Sequence, residues 1–166
     1  MRKKVPAIAL AVVVVIVVTS ITYYVSLNAP LGSDHSQCSD PDSISSHVYN
    51  PYRLTILKSC ITASGVVENV LEEADGDYHV RLALDSQYTS LTNSANDQYQ
   101  YGDLVVEIIC ALPITQADAV SACQNYTNNI MIPSVNDHIT VTGPSVLDMQ
   151  HSNWAEIHPV YTLTIS

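Results

Sequence analysis

The chain has 166 residues, enough for one domain with an anchor and a connecting segment. It carries 16 acidic residues against six basic ones, a formal charge of −10 at pH 7 with histidine neutral; such a surface repels nucleic acid and anionic lipid. No G-x-S-x-G, H-E-x-x-H, phosphate-loop or dinucleotide-binding motif is present, so none of those enzyme classes is indicated.

After Met-Arg-Lys-Lys, Val5 to Val25 run 21 residues without a charge. At the helical rise this spans about 30 Å, one bilayer core. A cleavable signal peptide has a shorter apolar region, about 7–15 residues. The expectation is therefore a retained transmembrane helix over residues 1–25, with Val18-Thr19-Ser20 as the alternative cleavage site. Arg2, Lys3 and Lys4 hold the N-terminus in the cytoplasm and send the rest outside, giving a single-pass protein with an extracytoplasmic C-terminal part. Beyond residue 25 only Arg53, Lys58 and Arg81 are basic while all 16 acidic residues lie there, so the exported part carries 3 − 16 = −13.

Residues 26–51 are rich in Ser, Asp and Pro, lack an apolar period and read as a flexible tether. From residue 52 the pattern becomes that of strands. Residues 60–73 form a long strand candidate with Gly65 at its middle, a place for a bend or bulge. Asp75-Gly76 is a hairpin signal. After it Tyr78, Val80, Leu82 and Leu84 alternate with His79, Arg81, Ala83 and Asp85, which predicts a half-buried strand with a polar outer face. Residues 86–102 are polar and loop-like.

Residues 103–111 predict a third strand, apolar apart from Glu107 and its leading Asp103. Thr115 and Asp118 resemble a capping box, predicting a short helix over about 116–125. Residues 138–148 and 154–166 complete the set as fourth and fifth strands, with Gly143-Pro144 expected to bend or break the fourth. Pro159 removes a ladder donor from the fifth. A long first strand with a central glycine, and a helix between strands three and four, is the order of a five-stranded OB-like Greek-key barrel over residues 52–166.

Four cysteines, all in the exported part, predict two disulfides. Their positions in that order favour Cys110–Cys123, stapling the helix to the barrel, and Cys38–Cys60, pinning the tether to its edge. Asn125-Tyr126-Thr127 is an acceptor sequence for N-glycosylation.

Strand alternation sets Ala155, Ile157, Pro159, Tyr161, Leu163 and Ile165 on one face of the last strand and Glu156, His158 and Val160 on the other. Glu156 and His158 thus point the same way. With His79 and Asp77 of the second strand they form a candidate ligand or metal cluster, since imidazole and carboxylate together suit zinc, copper or another divalent ion. Three further readings stand beside it: a metal-dependent or acid–base hydrolase using the Glu/His cluster, a structural hydrogen bond locking the barrel end, and a structural envelope subunit. Tyr78, Tyr99, Tyr101 and Tyr126 are candidates for an aromatic surface that takes a neutral sugar or peptide; a nucleic-acid groove would need a positive lining that three basic residues cannot supply.

The stretches "DGDYHVRLALD", "GDLVVEIICA", "VTGPSVLD" and "WAEIHPVY" resemble a group of exported prokaryotic proteins with an OB-fold-like β-barrel domain. The resemblance implies the fold and the exported setting and supplies no catalytic residues. The expected function is a membrane-anchored extracytoplasmic binding module for a small molecule, metal, sugar or protein partner.

Overall fold

The structure, a computed structural model, describes residues 39–166. The predicted span over residues 5–25, most of the tether and Cys38 lie outside the described residues. Among the described residues, no helix is long and apolar enough to cross a membrane.

Among the described residues the fold is mainly β: six strands in one sheet and a single short α-helix. The strands are β1 (Leu54–Glu72), β2 (Tyr78–Leu84), β3 (Leu104–Ile108), β4 (His138–Asp148), β5 (Trp154–Ile157) and β6 (Thr162–Ile165). Nineteen-residue β1 pairs with β4 along its first part and with β2 along its second, and Gly65 and Val66 have partners on both sides. This explains the central glycine. A Cβ at Gly65 would stand 2.2 Å from the carbonyl oxygen of Ala83, so the close approach of β2 admits no side chain there. Antiparallel β2–β3, parallel β3–β5 and antiparallel β5–β4 pairings follow, and the β1–β4 pairing returns the sequence of pairs to β1.

The apolar core draws on the same face of each strand: Val67 of β1, Val80 and Leu82 of β2, Leu104, Val106 and Ile108 of β3, Ile139 and Val141 of β4, Ala155 and Ile157 of β5. The alternation read for residues 78–84 is thus realised.

The end of the chain departs from the predicted single strand. β5 stops at Ile157, the His158–Pro159 peptide is cis, and β6 begins at Thr162. Proline has no N–H to continue a ladder. β6 pairs with β4 at residues 139–142, beyond the β5 pairing at residues 145–148. Gly143-Pro144 therefore marks a change of partner, not a break in β4; a Cβ at Gly143 would meet the Pro159 carbonyl oxygen at 2.4 Å.

The helix also lies elsewhere than expected. Residues 116–125 form consecutive turns, closed by bonds such as Ala119 N to Gln116 O and Ala122 N to Ala119 O. Thr115 does not cap a helix there, because its N–H and hydroxyl both donate to the Ala74 carbonyl. The α-helix, α1, is Ser94–Tyr99 between β2 and β3, in the stretch expected to be loop. Its capping box is Asn93 with Asn96. Buried Asn96 also donates to the Ala155 and Asp103 carbonyls and accepts from Ala155 N, fastening α1 to the start of β5.

The tether read over residues 26–51 is folded in its described part. Pro41–His47 and Pro51–Arg53 form 3-10 segments, and Ile44 and Val48 pack with Ile109 and Cys110 in a second apolar cluster. Its Ser, Asp and Pro content masked two buried aliphatic side chains, which is all a short strap needs to dock.

Cys110 and Cys123 are bonded, 13 residues apart with Cα atoms 5.5 Å apart. Cys60 is disulfide-bonded as well, and its expected partner Cys38 lies outside the described residues. The Cys110–Cys123 bond staples the turn-rich segment, not a helix, to the end of β3. Replacing both cysteines by alanine should cost about 3 kcal/mol, the chain-entropy value for a loop of this size. Urea denaturation of oxidised wild type against the double variant measures it.

Candidate functional site

β2, β3 and the end of β5 place a row of polar side chains on the face opposite the core. His79 of β2 stands directly across from Glu107 of β3. The parallel β3–β5 register sets Val105 beside Glu156 and Val106 beside Ile157; one step further brings the chain at His158 beside Glu107. There Val160 N donates to the Glu107 carbonyl and His158 N to that of Pro144. The face is not the solvated one that alternation suggests. Exposure is 6% at His79, 4% at Glu107, 1% at Glu156 and 2% at His158, so every polar atom in the row needs a partner.

Most have one. Glu107 Oε1 lies 2.9 Å from His79 Nδ1, and Glu73, at the end of the β1–β2 hairpin, lies 3.8 Å from the same nitrogen. His79 Nε2 is 3.2 Å from Gln100 Oε1, supplied by the residue that ends α1. Glu156 Oε2 is 3.1 Å from His158 Nδ1, and its Oε1 accepts from the indole N–H of Trp154. Trp154 stacks on His151 at 5.0 Å and meets His79 edge-on at 6.0 Å. It is a wall of the site rather than a plug of the core. Two buried atoms of the row have no partner: Glu107 Oε2 and His158 Nε2.

The electrostatics follow from this wiring. Burial by itself would push His79 down, but the hydrogen bond and charge of Glu107, aided by Glu73 and Gln100, raise it to about 9. His158 is likewise raised against its burial, by Glu156 first and Glu107 second. Glu156 is lowered despite its burial by His158, with Trp154 and Arg53 contributing. Glu73 is raised by burial and by the negative charge of Glu107. The row thus favours carboxylate–imidazolium pairs in a water-poor setting.

Among the described residues, ligand-bearing atoms of the row come together in two triads that share one residue. Atoms of Glu73, His79 and Glu107 lie within 4.8 Å of one another, and so do atoms of Glu107, Glu156 and His158. The first triad borders a cavity of about 520 Å³, walled also by Arg53, Trp154 and His151 and closed on one side by Tyr49 and Asn50 of the N-terminal strap. Arg53 is paired with buried Asp148, which holds His151 at 2.9 Å in turn.

Three of the four side chains singled out from the sequence, His79, Glu156 and His158, are brought into this network, all through Glu107. Asp77 is not among the ligand atoms of either triad. Its Oδ1 accepts from Cys110 N at 2.8 Å, and the one close grouping it enters contains Cys110 and Cys123, whose sulfurs are bonded to each other. Burial, with the charge of Asp75 next, raises Asp77 to about 8. Glu107, Glu73 and Gln100 escaped the sequence reading. Glu107 carried a signal all the same: a lone carboxylate inside the apolar run "LVVEII" must find a partner when both faces of its strand are buried. The four tyrosines do not make one surface; Tyr78 packs on the core, Tyr126 stacks on His47, and Tyr101 sits under Arg81.

Fold and site together define a small disulfide-bonded β domain with a buried carboxylate–imidazole network opening on a polar cavity. No family model matches the chain, and no curated protein or solved structure matches it either.

Proposed function

We propose that this chain is a single-pass, membrane-anchored binding module whose extracytoplasmic domain holds a divalent metal ion at Glu73, His79 and Glu107. The observation that carries the reading is the convergence of these three side chains at the wall of an open polar cavity. Two of the three are carboxylates, and the charge of Glu107 adds to the cost of ionising Glu73, a cost a cation between them removes. Mixed imidazole and carboxylate donors suit zinc and its first-row neighbours better than calcium or magnesium. Three protein ligands facing a cavity leave a position for water or a small ligand.

The order of pairings, returning from β4 to β1 through a parallel β3–β5 pair, supports an OB-like barrel and the resemblance to exported proteins of that fold. The position of α1 before β3 is a departure from that pattern. The Cys110–Cys123 bond supports an oxidising, extracytoplasmic setting.

Trp154 is the sole tryptophan and touches the network, so its emission reports on the site. Zinc titration of the full-length, chelator-treated protein should give a saturable change in that emission. His79→Ala should weaken the response at least tenfold while leaving the circular dichroism spectrum intact. No saturable binding by the wild type would sink the reading.

A further inference from the structure

We propose that the site takes two divalent ions, with Glu107 bridging the outer ion held by Glu73 and His79 to an inner ion held by Glu156 and His158. The outer half is the site of the functional reading above; the inner half is new and is tested separately from it.

Glu107 is only half satisfied. One carboxylate oxygen faces His79, and the other is buried without a partner. His158 has the same defect: Nδ1 meets Glu156 while Nε2, in a side chain almost wholly enclosed, meets nothing. A buried polar atom left without a partner carries its full desolvation penalty, larger still for a charged group. Two such atoms within one cluster call for a common ligand. Glu107, Glu156 and His158 already present donor atoms within 4.8 Å of one another. Their type, two oxygens and a nitrogen, is that of a first-row divalent site. A carboxylate that belongs to both triads is also the group that a two-ion centre uses as its bridge.

The surroundings fit an ion rather than a second organic ligand. The indole N–H of Trp154 orients Glu156 from behind, as outer partners of metal ligands do. Gln100 does the same for His79. The inner position is enclosed by side chains that are almost wholly buried, but it has its own approach. His158 borders a second cavity of about 190 Å³, formed with Pro144, Pro159 and Tyr161.

The test is cobalt titration of the full-length, chelator-treated protein, read by visible absorption and by elemental analysis of the dialysed complex. Two equivalents are expected for the wild type. One should remain in His158→Gln and in His79→Ala, and both should weaken in Glu107→Gln. Glu156→Gln, which keeps an acceptor for Trp154, is the second inner-site variant and should also leave one. The manganese form should show exchange coupling between its two ions by electron paramagnetic resonance. A single equivalent that survives His158→Gln and is lost in His79→Ala overturns the inner site and leaves the outer one standing. A single equivalent with the opposite dependence overturns the outer site and the bridge. No bound cobalt overturns both.

Discussion

Glu156→Ala should destabilise the metal-free domain by about 3–5 kcal/mol, the cost of removing one member of a buried ion pair. Glu156 is 1% exposed and holds two donors, His158 Nδ1 and the Trp154 indole N–H. The alanine variant strands both, and the imidazole is left with no partner on either nitrogen. Two controls separate charge from shape. Glu156→Gln keeps the acceptor for Trp154 and should lose less. The pair Glu156→Met with His158→Leu removes both polar groups at similar volume and should cost less than Glu156→Ala alone, because buried pairs replaced by apolar residues are often neutral. Urea denaturation in chelator measures all three. A loss under about 1 kcal/mol for Glu156→Ala would show that the pair does not hold the end of β5 to its neighbours.

Stability should fall as pH rises from about 4 to about 9, and Asp77→Asn should remove most of the slope below pH 8. The sign follows from linkage. Asp77 is raised to about 8 from an ordinary 3.8, so the folded chain keeps a proton that the unfolded chain releases. That contribution is complete below about pH 4 and is gone once the pH passes 8. Burial is the largest cause, Asp75 and Glu107 reinforce it, and Cys110 N–H and His158 oppose it. At 1.36 kcal/mol per unit the effect is of order 5 kcal/mol. His79, raised from 6.5 to about 9, acts in the same direction, its contribution being full below 6.5 and lost by 9. Asparagine retains the oxygen that accepts from Cys110 N and has no proton to lose. The variant should therefore lose the Asp77 contribution and keep only the shallower decline that Glu73, Asp103, His79 and His158, all raised in the fold, still supply. Urea midpoints at pH 5.5, 7 and 8.5 decide the matter; a variant with the wild-type slope would refute the role of Asp77.

Metal binding and this profile are linked. A cation at either triad needs the neutral imidazole, so it displaces a proton from His79 or His158. Zinc affinity should accordingly rise with pH over the range in which metal-free stability declines.

The elements most legible in the sequence were those decided by local chemistry. Strict alternation placed β2 and its core face, and the fourth strand falls at residues 138–148 as read, without the break expected at Gly143-Pro144. Gly65, expected to mark a bend or bulge, is instead paired on both sides and close-packed against the Ala83 backbone, while the register shift toward β2 falls between Val67 and Asn69. Even cysteine count and position gave the Cys110–Cys123 bond. The helix was misplaced because a short capping signal is weak wherever tertiary contacts compete for its groups. Thr115 spends both donors on Ala74, while Asn93 and Asn96, each a poor helix former in isolation, are secured by the edge of β5.

The candidate site divides along the same line. Period-two alternation alone put Glu156 and His158 on one side of their strand, and His79 on the outer side of its own. It could not tell that this outer side is buried, since burial depends on what covers it: Trp154, Gln100 and a strap that composition assigns to a tether. Nor could it bring His79 and His158 to a common partner. That depends on the register of β2 on β3 and on the parallel pairing of β3 with β5, contacts between residues such as His79 and Glu107, and Val105 and Glu156, that lie far apart in the chain. The residue they converge on, Glu107, was visible as the one charge in an apolar strand. The sequence determined that it needed a partner; only the tertiary structure decided which, because strand pairing is a property of the closed chain and not of any segment in it.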